Sequence, residues 1–379
     1  MRFFENLNFD FLKLRKVTYA VSALLFMLGV IAALTRGFQF GIDFKGGSEI
    51  VLQFEKPINI ADVRADVENI GLGNLEVKTF GGETGVMIRT ELQVIPSDVY
   101  PKVISAIEQE IEKLIPGVPR RLIDSSASSV TYVFENPDTA NQIIDGLFSA
   151  GFQSGRVSEE ADNVSMLVSV GIADWIKENL REKITDNPFT VLKEDRVGPK
   201  IGDELKKDAV LAIFFALLAI LVYLGFRFKF IFAFGAVAAL FHDVLITLGL
   251  FALLYGLIPG LNLDIDLTVV AAFLTLVGYS INDTVIVFDR IRENIKNHKT
   301  KPLFDIINTS ISQTMSRTIL TGGTTLLTVL VLLIFGGEVL RAFAFTLLFG
   351  IIIGTYSSIF VASTLVYEYA TKYKKKVEF

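Results

Sequence analysis

Residues 209–226, AVLAIFFALLAILVYLGF, form an apolar run that contains no charged side chain. A helix rises about 1.5 Å per residue, so this run is long enough to cross a hydrocarbon core of ~30 Å. A helix in a soluble core rarely stays uncharged over such a length. The run therefore predicts a membrane-spanning helix, because in lipid the backbone must satisfy its own hydrogen bonds.

Five further apolar runs extend this prediction along the chain. They lie at residues 17–34, 230–257, 267–288, 319–335 and 342–367. The first could instead be a signal peptide, but no small-residue cleavage pattern follows it. The predicted fold class is a membrane α-helical bundle of six transmembrane helices with an α+β domain inserted after the first. The predicted division is a tail at 1–16, helix 1 at 17–35, the α+β domain at 36–207, helices 2–6 at 208–368 and a tail at 369–379.

Basic residues predict how the chain is oriented. They concentrate in both tails and in the loops after the second and fourth apolar runs, whereas the alternate short loops nearly lack them. Cytoplasmic loops carry the excess of lysine and arginine in membrane proteins. We therefore expect a multi-pass protein with both termini in the cytoplasm and the α+β domain on the extracytoplasmic (periplasmic or extracellular) side.

The α+β domain contains a candidate repeat. The segment IVLQFEKP at 50–57 aligns with VTYVFENP at 130–137. Each is followed by a helix-like stretch, two strand-like stretches and a second helix-like stretch, with closing strands near 121–124 and 189–195. This order predicts two ferredoxin-like units, at 40–124 and 125–196. The alternative is two unrelated α+β modules.

The composition excludes several classes of function. The chain has no cysteine and only two histidines, which excludes disulfides and thiolate metal sites and disfavours a histidine-rich metal centre. The net charge is −5, and the basic clusters flank apolar runs, so no nucleic-acid partner is expected. No cofactor is expected either. An intramembrane protease is disfavoured, because no second membrane aspartate on a GxGD-like motif accompanies Asp283, so the chain is not expected to be an enzyme.

Ionisable residues within apolar runs are expensive, which makes them candidate functional residues. Asp283 lies near the inner end of the fourth run, where a carboxylate needs a polar partner, an aqueous path or a proton. Tyr279, Ser280 and Asp283 fall on one helical face by their spacing. The alternative for Asp283 is a structural carboxylate that pairs with a neighbouring helix.

Two further places carry polar groups at membrane depth. His242 and Asp243 lie near the middle of the third run, where an interhelical hydrogen-bonded pair and a proton-transfer site are both open. Arg317 opens the fifth run and either marks the cytoplasmic flank or approaches Asp283. Together Asp283, Arg317, Asp243, His242 and Ser280 are the candidate proton-pathway residues.

Several motifs resemble the SecD/SecF family of bacterial protein-export membrane proteins. FGIDFKGGSEI at 40–50 resembles the D-x-x-G-G element that follows the first helix in this family, and VGPKIGDEL at 197–205 resembles the segment that enters the second helix. ALFHDVLITLG at 239–249, VGYSINDTVIVFDRIREN at 277–294 and SRTILTGGTTLLTVLVLLIFGG at 316–337 resemble the SecF members in order and spacing.

This resemblance implies an RND-like bundle of six helices that is completed by SecD. It implies a function in preprotein export across the bacterial cytoplasmic (inner) membrane, driven by the proton motive force. The implied partners are SecD, the SecYEG channel, a YidC-type insertase, unfolded preprotein and membrane lipids. The family's proton-passage aspartate and arginine fall on Asp283 and Arg317. An RND-type transporter of a small molecule or lipid is the alternative function.

Overall fold

The computed structural model describes residues 9–373 except 74, 93, 127, 151, 158–163 and 259–260, so parts of both predicted tails lie outside the described residues. The chain divides into two compact units. The helical unit comprises Met1–Gly41 and Glu204–Phe379, and the α+β unit comprises Ile42–Asp203. Within the described residues, six helices are long and apolar enough to cross a membrane, which confirms the predicted membrane fold.

The elements follow one another in the order that the sequence predicts. A 3₁₀ turn (Phe11–Leu14) leads into α1 (Arg15–Arg36), the first spanning helix. The elements of the α+β unit are α2 (Ile42–Lys45), β1 (Gly47–Phe54), α3 (Ile60–Glu68), β2 (Glu76–Thr79), β3 (Gly85–Thr90), α4 (Tyr100–Leu114), β4 (Arg120–Ser126), β5 (Ser129–Phe134), α5 (Pro137–Ala150), β6 (Gln153–Arg156), β7 (Ser165–Ser169), α6 (Ile172–Lys183) and β8 (Phe189–Val197). Its strands form two antiparallel four-stranded sheets, with the orders β2-β3-β1-β8 and β4-β5-β7-β6.

Each sheet has the strand order of a ferredoxin-like unit, but the two units exchange their last strand. The strand β4, which ends the first repeat, pairs with β5 of the second repeat. The strand β8, which ends the second repeat, pairs with β1 of the first. The predicted division into 40–124 and 125–196 therefore does not follow the sheets.

The helices that precede the exchanged strands, α4 and α6, also pack against the other repeat. On α6, the Trp175 indole N–H donates to the carbonyl of Ile70, just after α3, and Lys183 pairs with Asp66 of α3 at 3.4 Å. On α4, the Leu114 side chain lies against Gly146 of α5. Each sheet is thus covered by one helix from its own repeat and one from the other, and a single apolar core joins both repeats.

Charged side chains tie the exchanged strand β8 to the first sheet. Arg89 of β3 binds Glu49 of β1 at 2.5 Å, and Lys193 of β8 binds the other oxygen of Glu49 at 3.2 Å. Burial would lower the pKa of Lys193, but the hydrogen bond to Asp195 and the charges of Glu49 and Asp195 raise it overall. The ammonium group of Lys193 therefore stays charged and links β8 to β1.

The Gly46-Gly47 turn before β1 requires glycine for its backbone. Their φ angles are 74° and 114°, which only glycine adopts readily. A Cβ atom on Gly47 would lie 2.1 Å from the carbonyl oxygen of Thr90, and one on Gly46 would lie 2.9 Å from Cα of Pro199. Backbone geometry therefore accounts for the presence of both glycines.

We expect Gly47→Ala to destabilise the α+β unit by about 2 kcal/mol or more, because backbone strain of about 1–3 kcal/mol adds to the clash with Thr90. Trp175, the single tryptophan, is buried in this unit and reports its unfolding by fluorescence. The control is Gly73→Ala, since Gly73 has φ 69° but open space around it. Equal effects of the two substitutions would contradict the steric argument.

The helical unit continues with α7 (Pro199–Arg227), α8 (Phe230–Leu254), α9 (Leu267–Asn297), α10 (Leu303–Phe335), α11 (Gly337–Ser357), a π-helical turn (Ser358–Ala362) and α12 (Ser363–Lys372). The helix α11, the π-helical turn and α12 together form the sixth spanning helix. Helices α7, α9 and α10 extend beyond the apolar runs that predict them, because polar residues continue the helix where it leaves the hydrocarbon core. Pro199 begins α7, as proline commonly does in a first helical turn.

Glycines set how closely the spanning helices approach. Gly29 of α1 and Gly249 of α8 face each other, and a Cβ on either would lie within 3 Å of the other's Cα. On α11, Gly350 packs against Leu276 of α9, and Gly354 packs against Ser280. The GxxxG motif at 350–354 thus brings α11 against α9, as small residues commonly do in membranes. This contact positions the candidate site.

Candidate functional site

Asp243 is the centre of a hydrogen-bond network among four spanning helices. It lies on α8 and is 1% exposed. Its Oδ2 atom accepts hydrogen bonds from Ser280 Oγ of α9 at 2.7 Å and Ser357 Oγ of α11 at 2.8 Å. Its Oδ1 atom lies 3.0 Å from Nδ1 of His242. Both oxygens of this buried carboxyl group therefore have polar neighbours, as a buried polar group requires.

The network continues through His242 to the first helix. His242 Nε2 lies 3.0 Å from Ser22 Oγ of α1, which lies 3.0 Å from the hydroxyl of Tyr356 on α11. Tyr356 donates to the backbone carbonyl of Thr18 at 2.6 Å. An unbroken chain of hydrogen bonds thus joins α1, α8, α9 and α11.

A narrow groove between α1 and α8 reaches this network. It has a volume of about 280 Å³ and is lined mainly by apolar side chains, together with Ser22 and His242. The His242 side chain is 15% exposed, whereas Asp243 is enclosed. The histidine is therefore the point at which the buried network meets the surface of the helical unit.

Asp283 lies one helical turn after Ser280 on α9, and its environment differs from that of Asp243. It is 2% exposed, and its Oδ2 atom has no hydrogen-bond partner among the described residues. Thr355 of α11 and Arg317 of α10 are the polar side chains beside it. The hydroxyls of Thr355 and of Thr318, beside Arg317, are also buried and unpartnered in the described part of the chain.

Arg317 lies near Asp283 without pairing with it. The arginine side chain is exposed, and no carboxylate within the described ranges forms a salt bridge with it. The sequence suggested that Arg317 could approach Asp283, and the structure places the two on adjacent helices α10 and α9. The site therefore holds a buried acid with unused hydrogen-bonding capacity and a nearby unpaired cation.

The three polar residues predicted on one face of α9 have separate partners. Tyr279 donates to Thr325 of α10 at 3.3 Å, and Ser280 donates to Asp243. Neither hydroxyl bonds to Asp283 in the structure. The structure thus groups the predicted site residues into two sets: His242, Asp243 and Ser280 in the network, and Asp283 with Arg317 beside it.

Sequence reasoning missed the network residues Thr18, Ser22, Tyr356 and Ser357. Ser22, Tyr356 and Ser357 take part through hydroxyl side chains in otherwise apolar runs, a weak signal because such residues often bond their own helix backbone. Thr18 takes part through its backbone carbonyl. The position of His242 at membrane depth indicates that it has a polar partner on another helix. The sequence does not identify which helix that is. Within the described residues, no group of three or more His, Asp or Glu could hold a metal ion.

Family models match two parts of the chain. Residues 176–372 match the family described as protein export membrane protein SecD/SecF, C-terminal, and residues 31–58 match the SecD/SecF GG motif. The second match contains Gly46 and Gly47, and the first contains Asp283 and the part of the network that lies on α8, α9 and α11.

Among curated proteins, the protein translocase subunit SecF of Rhodothermus marinus is 40% identical over 368 residues, which cover 97% of this chain and 95% of the relative. The protein of the same name from Koribacter versatilis is 37% identical over 390 residues, which cover 97% and 93%. Both alignments include the α+β unit, so these relatives extend over the same two units.

Solved structures agree with this relationship. SecDF from Thermus thermophilus, described as a translocon-associated membrane protein, has a TM-score of 0.65 at 28% identity. A SecDF structure in a super-membrane-facing form has a TM-score of 0.57 at 30% identity. Each match covers 98% of this chain but only 40% of the SecDF chain. The chain therefore belongs to the SecD/SecF family of protein-export membrane proteins, among its SecF subunits.

Proposed function

We propose that this chain is an accessory subunit of protein export that uses the proton motive force and acts together with SecD. The single observation that carries the proposal is Asp283, a carboxylate that is 2% exposed with one oxygen unpartnered among the described residues. A buried acid of this kind is costly unless it binds a proton or a partner in some state of the protein. Its place on α9, within a family of export proteins, supports a proton-binding role.

The neighbourhood of Asp283 supports a mechanism with two states. In one state Asp283 is protonated and Arg317 stays apart from it, and the exposure of the Arg317 side chain supports such a state. In the other, the proton leaves and the carboxylate draws Arg317 and the Thr318 hydroxyl towards it. Opposite charges attract strongly at low dielectric constant, so proton release would shift α10 relative to α9. Transfer of one charge through 100 mV supplies about 2.3 kcal/mol to such a switch.

Partnership with SecD is supported by the length of the matched chains. This chain matches 40% of each SecDF chain, so most of each SecDF chain lies outside the match. A subunit that completes the unit would cover apolar helix surface that this chain leaves open. Helix α7 carries such a surface, since Phe214, Phe215 and Phe226 are exposed.

The α+β unit is proposed to lie on the extracytoplasmic side and to contact emerging unfolded preprotein. The distribution of basic loops supports this side, with both termini cytoplasmic. SecYEG is the proposed channel partner, and a YidC-type insertase is a further one. The exchanged strands make both repeats one body, so movement of either repeat would carry the other.

The test is affinity purification of the full chain from native membranes, followed by export assays in vesicles that contain or lack it. We expect SecD and SecYEG to co-purify and collapse of the proton gradient to remove the chain's contribution to export. Recovery without SecD and SecYEG, as homo-oligomers that move a small molecule or lipid, would favour the transporter alternative. Export stimulation that survives gradient collapse would contradict proton coupling.

A further inference from the structure

The direction of each hydrogen bond in the Asp243 network can be assigned from one fixed point. A backbone carbonyl only accepts, so the Tyr356 hydroxyl must donate its single proton to Thr18 O. Tyr356 then has only a lone pair for Ser22, so the Ser22 hydroxyl must donate to Tyr356 in their 3.0 Å contact. Each hydroxyl has one proton, and both are now assigned.

The same count of protons fixes which ring nitrogen of His242 carries a proton. Ser22 has no proton left for His242, so the 3.0 Å contact requires Nε2 of His242 to carry a proton and donate it to Ser22 Oγ. The neutral imidazole carries a proton on only one of its nitrogens. A neutral His242 therefore presents a bare lone pair at Nδ1.

That lone pair faces a carboxylate oxygen. Nδ1 lies 3.0 Å from Asp243 Oδ1, and two acceptors at this distance repel each other unless a proton lies between them. The proton is either on Asp243, with neutral histidine, or on Nδ1, with imidazolium beside an ionised aspartate. Both states contain the same number of protons.

We propose that the His242–Asp243 pair is a second proton-binding site, which holds one proton more than a neutral histidine beside an ionised aspartate. Ser280 completes the site, because its hydroxyl donates to Oδ2 and leaves Oδ1 for the shared proton. The Ser357 hydroxyl lies 2.8 Å from the same Oδ2 atom and 3.1 Å from the carbonyl oxygen of Gly354. This inference deepens the proposed function, but the hydrogen-bond count on which it stands is independent of export.

The geometry also gives the proton a path of exchange. His242 is the member of the pair that lines the groove between α1 and α8, so its imidazole ring is the part of the pair that would take up or release the proton. On the other side, Ser280 lies one turn from Asp283 along α9. The pair would thus store a proton between the groove and the Asp283 site.

The test is solid-state NMR of the full chain in lipid bilayers, with ¹⁵N-labelled histidine and ¹³C-labelled aspartate carboxyl groups. The chain has only two histidines, so in His298→Gln all histidine signals come from His242. We expect a protonated Nε2 together with one further proton, seen as a protonated Nδ1 or as a protonated Asp243 carboxyl group that Asp243→Asn removes. A neutral ring beside an ionised Asp243, whichever ring nitrogen carries the proton, would overturn the proposal.

A second variant tests the count itself. Tyr356→Phe removes the hydroxyl that fixes the direction, so Ser22 becomes free to donate to Nε2. We expect the Nε2 proton signal to be lost, the ring proton to move to Nδ1, and the extra proton to leave the pair. The matched control is Tyr279→Phe, which removes a hydroxyl bonded to Thr325 instead and should leave the His242 signals unchanged. Unchanged signals in Tyr356→Phe would contradict the assignment.

These outcomes are separable from the failure of the proposed function. The NMR measurement needs neither SecD nor an export assay, so loss of the extra proton would leave the Asp283 mechanism standing. Conversely, if export proved independent of the proton gradient, the protonated pair would remain as a structural proton site that holds α1, α8, α9 and α11 together.

Discussion

Asp283→Asn is expected to abolish proton-driven export while the chain still assembles with its partners. Asparagine has nearly the shape of aspartate but neither gains nor loses a proton, so the side chain remains in its neutral form. Arg317 would then have no carboxylate to approach, and the proposed movement of α10 would stop. We expect the component of export that depends on the proton gradient to fall at least about tenfold, to the level of vesicles without a gradient.

The matched control for this variant is Asp289→Asn. It makes the same change on the same helix, at a side chain that is 57% exposed and only 3.6 Å from an exposed Arg227. Such surface ion pairs contribute little, so export should be unaffected. Vesicle assays with and without an ionophore measure gradient-dependent export, and co-purification of SecD measures assembly. Normal gradient-dependent export in Asp283→Asn would remove this residue from the mechanism.

The membrane part of the fold follows closely from the sequence, because hydrophobic length and charge act locally. Asp283 and Asp243 could be identified as candidates on the same ground, since ionisable residues are rare at membrane depth. Their partners could not, because partners come from helices that are adjacent in space and remote in sequence. Ser280 shares a helical face with Asp283, yet it donates to Asp243 on α8.

The α+β unit demonstrates a different limit of sequence reasoning. The repeat pattern predicted the kinds and order of elements, and these match the structure from β1 to β8. The repeat pattern predicts that strands pair within each repeat. However, only two residues separate β4 from β5. So short a connection favours an antiparallel hairpin between consecutive strands. Once β4 joins the second sheet, β1 has an open edge that β8 fills.

The exchange of strands makes a strong prediction about deletions in the α+β unit. Removal of residues 125–196, the predicted second repeat, should unfold the remaining part of the α+β unit rather than leave an intact first repeat. The first sheet would lose β8 except for Val197, together with α6, which carries the buried Trp175. The edge of β1 would be unpaired, and Glu49 would lose Lys193 while still buried with Arg89. Each of these losses costs free energy of folding.

A deletion of nearly the same length is expected to have the opposite result. Removal of residues 100–170 takes out α4, the second sheet and α5, but it keeps β1, α3, β2 and β3 together with α6 and β8. These six elements form one complete ferredoxin-like unit. The new junction is short, since Val99 packs against Gly71 and Trp175 bonds to the neighbouring Ile70. Hydrogen exchange and limited proteolysis of both full-length membrane variants measure the result. If β1 and β3 are protected in the first variant and exposed in the second, each repeat folds on its own, and the exchanged topology does not govern the stability of this unit.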